Sequence, residues 1–189
     1  MAPGQAAAVS IELDRSIVGP LVLPDALRQV SITHCIIEAA GRYALAGAGP
    51  APGPAVRLAN TTVFGRVWVR DLEASAVIFT DPLQAAQPAT PQSVRHCFVP
   101  AGSTGLQGEV YAAISLGVDP PQFVATRYGD PAYAQLSVHC APEIRAGAPD
   151  GSEIGAFHDL HALQAEANLR ATLAEYLPLG LRPALFLQT

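Results

Sequence analysis

The chain is short of charge and of aromatic rings. Asp, Glu, Lys and Arg together make 14% of its 189 residues, and Phe, Trp and Tyr only 6%. Ordinary domains carry about a quarter of their residues as charges. So sparse a charge coat predicts a surface partly covered by another subunit or segment. The scarcity of rings means that Ala, Val, Leu and Ile must fill the core, because half of the chain is apolar. The net charge of −5, with no run of Lys or Arg, argues against a nucleic-acid partner. No apolar stretch is long enough to span a membrane; the segment 17–23 is interrupted by Gly19 and Pro20. The leader MAPGQAAAVS lacks the basic and apolar regions of a signal peptide, so a cytoplasmic location is expected, with incorporation into a larger particle as a further expectation. Three scattered cysteines, Cys35, Cys97 and Cys140, do not make a disulfide framework and are expected as buried thiols. There is no G-x-S-x-G, P-loop or dinucleotide fingerprint, and no cofactor is expected.

A short pattern recurs instead: a small or polar residue, two large apolar ones, then a turn former or polar residue. It reads Ser16-Ile17-Val18-Gly19, Cys35-Ile36-Ile37-Glu38, Thr62-Val63-Phe64-Gly65, Val77-Ile78-Phe79-Thr80 and Cys97-Phe98-Val99-Pro100. Alternating stretches such as Val30-Ser31-Ile32 and Val56-Arg57-Leu58 precede it, which is the period of a half-buried strand. Two-residue hairpin signals are missing from this part, so neighbouring strands are not joined by tight turns. The repeat predicts a mainly β chain: a short right-handed parallel β-helix of about five coils over residues 1–100, with a leader at 1–8 and an insertion at 41–54. In that arrangement Cys35 and Cys97 occupy equivalent places three coils apart, roughly 14 Å at the usual strand spacing, beyond disulfide reach.

Residues 101–126 read as a connection and 127–189 as a cap. Ala134 to Cys140 alternates like a strand. Ser152 or Asp159 is expected to cap a helix of about 159–176, with Leu160, Leu163, Ala167, Leu173 and Leu177 on one face. Leu181 to Thr189 is expected to be extended.

The stretches RYGDPAYAQLS (127–137), EIRAGAPDGSEIGAFHDL (143–160) and EANLRATLAEYLPLGLRPALFLQT (166–189) resemble the C-terminal end of a bacterial family of long parallel β-helix proteins. Members are found beside genes of phage-tail-like contractile injection systems. The resemblance covers most of the chain, which is shorter than those members. It implies a structural, assembly or adaptor role and no reaction.

The residues themselves offer several weaker chemical readings. His158 and His161, three apart, together with Glu166 or His139, are the candidate metal ligands; no H-E-x-x-H accompanies them. Carbohydrate processing or binding on a β-helix scaffold is the alternative function. The polar residues of the repeat are Asp14, Arg15, Glu38, Arg57, Arg70, Asp71, Glu73 and Asp81, but no two acids share a repeat position in adjacent coils. Asp130, Glu143, Arg145, Asp150, Glu153 and Asp159 concentrate polarity near the C-terminus, where turns and helix starts account for them. His139 beside Cys140 lacks an orienting third group. Trp68 and Tyr128 are expected in a core or interface. The exposed end of the N-terminal coil is expected to mediate self-association or to meet a protein partner in a larger assembly.

Overall fold

A computed structural model describes residues 9–86, 94–106, 118–178, 181 and 184. The chain is mainly β, with a curled parallel sheet followed by a C-terminal helix. Among the described residues ten strands form the sheet: β1 (Ser10–Asp14), β2 (Ile17–Val18), β3 (Leu21–Leu23), β4 (Gln29–Thr33), β5 (Ile36–Gly47), β6 (Gly53–Ala59), β7 (Thr62–Ser75), β8 (Ile78–Phe79), β9 (Leu83–Ala85) and β10 (Val94–Arg95). Every pairing between them is parallel.

The pairings fall into three ladders. In the first, Ile11 lies beside Val30, Val30 beside Val56, Val56 beside Leu72, and Ala74 beside Val94. In the second, Ile17, Ile36, Thr62, Ile78 and Phe98 follow one another. In the third, Leu21, Leu45, Val67 and Leu83 do so, and Gln84 bridges to Thr104. The chain visits the three ladders in order five times, and each visit is called a rung below.

Alternation sets what each strand buries. Inward positions are aliphatic and almost wholly enclosed: Val30, Ile32, Ile37, Leu45, Leu58, Val63, Val67, Leu72 and Leu83, with Phe79 the one large ring. Outward neighbours on the first ladder, such as Glu12, Arg57 and Glu73, face solvent. Aliphatic side chains stack on their own kind from rung to rung, so a core can form with few rings.

The corner between the first and second ladders repeats in detail. Arg15, His34, Asn60, Ala76 and His96 all have left-handed backbone, with φ of 46, 51, 46, 54 and 52°. The amides of Arg15, His34, Asn60 and Ala76 donate to Thr33, Ala59, Ser75 and Arg95 of the next rung. The residue after the corner closes it from its side chain. Ser16 Oγ, Cys35 Sγ, Thr61 Oγ1 and Cys97 Sγ donate to the carbonyls of Asp14, Thr33, Ala59 and Arg95, at 2.8, 3.1, 2.7 and 2.9 Å. This is the physical content of the small or polar position in the repeat. In the third copy that position is Thr61, so the motif starts one residue earlier than the apolar pattern suggests.

Other expectations need correction. The stretch 41–54 is partly strand: β5 runs to Gly47, its register against β7 shifts between Glu38 and Leu45 where β5 carries extra residues, and β6 begins at Gly53. Ala134 to Cys140 is not a strand. It is a chain of turns with left-handed Ala132 and Ala134, tied by single bridges from Phe123 to Leu136 and from Ala125 to Tyr133. Helix α1 is one turn (Pro142–Arg145), and α2 spans Ala162–Tyr176. Neither Ser152 nor Asp159 caps α2: a 3-10 turn (His158–Leu160) precedes it and left-handed His161 stands at its start. Leu160 and Ala167 are exposed and no α2 residue is fully buried, so the expected apolar face is thinly used. Most of the 181–189 segment lies outside the described residues, as do the leader 1–8 and all of 107–117.

The described part of the C-terminal segment lies along the outer side of the second ladder. Ala76, Ile78 and Phe98 pack with Cys140, Ile144, Ala148 and Ile154, while Ile36 and Phe64 pack with Tyr133, Ala134 and Phe157. Gly155 permits the closest approach. Its φ is 99°, and a Cβ there would lie 2.7 Å from Thr62 Oγ1 and 2.9 Å from Ile78 Cδ1. The Gly155 amide donates to Ala76 O and the Ala156 amide to Thr62 Oγ1. Segment 118–161 is called the flap below. No helix among the described residues is long and apolar enough to cross a membrane.

Candidate functional site

The left-handed corners form a column, and the flap is fastened along it. At the N-terminal end, Asp159 receives Arg15 at 2.7 Å and lies 3.1 Å from Nε2 of His34. The opposite ring nitrogen of His34 lies 3.4 Å from Asp14, and Nε2 is also 3.0 Å from the Asn60 amide. At the other end, Nδ1 of His96 donates to the Gly147 carbonyl at 3.1 Å, since a carbonyl can only accept. The hydrogen bond from Arg15 and the nearby His34 hold the Asp159 carboxyl below the usual carboxylate range.

The flap covers the second ladder unevenly. Ile36, Thr62, Ile78 and Phe98 are at most 5% exposed, whereas Ile17 on the first rung is 50% exposed. A cavity of about 270 Å³ lies where the flap stops. Ile17, Ile36, Ala156, Phe157 and Leu160 supply its apolar walls, and Arg15, Ser16, His34 and Asp159 its polar side. Among the described residues the first rung is also the least covered part of the core. Ile11, Leu13, Val18 and Leu21 are only partly buried where their counterparts higher up are enclosed. Among the described residues no strand pairs with the outer edge of β1, β2 or β3.

The candidate metal ligands are divided. His158 and His161 come together, their rings 5.8 Å apart, but the carboxylate between them is Asp150, with Oδ2 3.6 and 3.7 Å away. Glu166 is turned to Arg170 at 2.8 Å and faces Arg145 at 3.9 Å. Among the described residues no group of three or more His, Cys, Asp or Glu side chains is arranged to hold a metal ion. Ser152 lies 2.7 Å from Nδ1 of His158, which suggests a nucleophile and its base. However, Ser152 is fully buried and its hydroxyl donates to Asp150 at 2.6 Å, while Nδ1 also faces the Glu153 carbonyl at 3.1 Å. The ring must therefore carry its proton on Nδ1 and cannot take one from Ser152. The cluster ties the flap to itself, and the Ser152 hydrogen bonds hold the Asp150 carboxyl below its ordinary range.

Glu153 does not serve a helix start. It is buried within the flap, and burial pushes its carboxyl up to about 7 despite the charge of Arg145. The three cysteines are free and buried; burial pushes the Cys97 thiol up to about 12. His139 is exposed, and Cys140 packs between the flap and the second ladder. Tyr128 is largely exposed, and Trp68 lies on the outer face of the third ladder, so neither is a core residue.

Comparison with protein-family models, with curated proteins and with solved structures finds no match for this chain.

That the corner column holds the flap is not legible in the sequence. His34, Asn60 and His96 did carry a usable signal. Asn and His are enriched among non-glycine residues with left-handed backbone, and each precedes a small donor residue.

Proposed function

We propose that this chain is a right-handed parallel β-helix of five coils that acts as a structural or adaptor element, joined to another chain through its first coil. One observation carries the reading: the first rung is unfinished. Its three strand edges lack a partner among the described residues, its inward Ile11, Leu13, Val18 and Leu21 are half covered, and Ile17 stands at the edge of an apolar cavity. An open edge of this kind is a template for pairing with another chain. The sequence resemblance to β-helix proteins encoded beside phage-tail-like genes fits an assembly role.

The absence of a reactive constellation among the described residues leaves binding as the better-supported activity. The hydroxyl of Ser152 is committed, and the coil acids Asp14, Glu38, Asp71, Glu73 and Asp81 occupy no common column.

Hydrogen exchange tests the proposal. Amides of Ser10 to Leu23 that face away from the second rung are expected to gain protection as protein concentration rises, while those of β6 and β7 stay constant. Exchange in β1 to β3 that is fast and independent of concentration contradicts it.

A further inference from the structure

The third ladder presents a different surface, unrelated to the first-rung edge. Its outward residues run Val22, Ala46, Trp68, Gln84 and Thr104, one per rung at about 4.8 Å spacing. Beside them Tyr43 and Arg66 stand in register. The Tyr43 and Trp68 rings lie 6.2 Å apart and are turned 39° to one another, and the Arg66 guanidinium sits 5.9 Å over the Tyr43 ring. Tyr43 is 43% exposed.

The placement is unexpected for this sequence. The chain fills its interior with aliphatic side chains, yet its single Trp and an adjacent Tyr lie on the outside. Tyr43 is exposed and Trp68 half-buried, so the two rings pair outside a core that could have held them. We infer that this face binds a neutral oligosaccharide, the sugar rings lying over Tyr43 and Trp68 and their hydroxyls meeting Arg66, Gln84 and Thr104.

Three observations favour a sugar over a protein segment. The strands here are paired to rungs on both sides, so no backbone edge is free to accept a peptide strand. The row does not form a continuous apolar patch; the rings are followed along the axis by an amide and a hydroxyl. A pyranose offers a C–H face for stacking and a rim of hydroxyls for donors and acceptors, the same alternation that the row displays. The rung spacing is also close to the length of one sugar unit, so successive units can meet successive rungs. The row carries no carboxylate, which fits holding a glycan rather than cleaving it.

Fluorescence of Trp68, the chain's only indole, reads this face directly. Titration with cellohexaose, maltohexaose and chitohexaose is expected to give a saturable change with at least one of them. Tyr43→Ala, at a partly exposed position, is expected to weaken that binding about tenfold while the protein stays folded, its unfolding lowered by no more than the loss of one surface ring pair. No change with any of the three sugars overturns the inference, as does an equal response from Tyr43→Ala. A change that follows protein concentration without sugar means the face is occupied by protein, and it also overturns the inference. The titration is indifferent to whether the first rung self-associates.

Discussion

His34 and Asp159 meet at 3.1 Å, Nε2 to Oδ1, joining the second left-handed corner of the sheet to the last turn of the flap. Arg15 reaches the same carboxylate at 2.7 Å, so one acidic residue gathers two successive corners. The contact is partly exposed, and its role is to position the flap's end rather than to supply much stability. Asp159→Ala is expected to speed amide exchange at Gly155 and Ala156 and to leave β6 and β7 unchanged. Equal slowing or speeding in both regions contradicts that local role.

Glu153 makes stability depend on pH in an unusual direction. Its folded carboxyl is raised to about 7 from an ordinary 4.5, so the native state binds its proton more tightly than the unfolded chain. The stabilisation is complete below 4.5 and is lost as pH rises through 7. The shift corresponds to something on the order of 3 kcal/mol. Denaturant melts across pH 4 to 8.5 are expected to show the wild type losing stability over that window, with Glu153→Gln holding its stability above pH 7. Asp150 and Asp159 act in the opposite sense, since their lowered values make their contribution fade only in stronger acid. A Glu153→Gln profile parallel to wild type would rule this account out.

Gly155 sets how closely the flap approaches the second ladder. Gly155→Ala adds a methyl against Thr62 and Ile78 at a left-handed backbone position. A loss of about 1–3 kcal/mol in thermal or chemical unfolding is expected, from strain and overpacking together. A neutral substitution would mean that the flap can lift without penalty.

The thiols are predicted to be silent in the folded protein. Cys35, Cys97 and Cys140 are buried with raised thiol values, and Cys97 is the most strongly shifted. Labelling with a thiol reagent at pH 8 should be negligible until denaturant is added, with all three sites then reacting. Prompt reaction at Cys97 in the native protein contradicts its burial.

Much of the sheet was legible in the sequence because its physics is local. Alternation at Val30 to Ile32 and Val56 to Leu58 marks strands with one buried face, and the paired apolar residues of the repeat mark the second ladder. The slip between Val63 and Thr62 arose because Thr61, not Thr62, makes the corner hydrogen bond, and the apolar pattern alone does not distinguish two adjacent threonines. The flap was not legible. Its path depends on contacts such as Tyr133 with Glu38 and Ala156 with Thr62, between residues far apart in sequence. The alternation from Ala134 to Cys140 misleads because the left-handed Ala132 and Ala134 turn the chain at its start, and only Leu136 then makes a bridge. At the candidate site, His158 and His161 were found together, but their carboxylate is Asp150; Glu166 was taken by Arg170 and Arg145.

The mass of the protein in solution tests the central claim most directly. Static light scattering over about a hundredfold range of concentration is predicted to rise from the 19.7 kDa of one chain toward at least twice that value. Leu13→Glu, which places a charge at the open mouth of the core, is predicted to hold the mass at one chain while the sheet's circular dichroism persists. A wild-type mass of 19.7 kDa at every concentration contradicts self-association through the first rung.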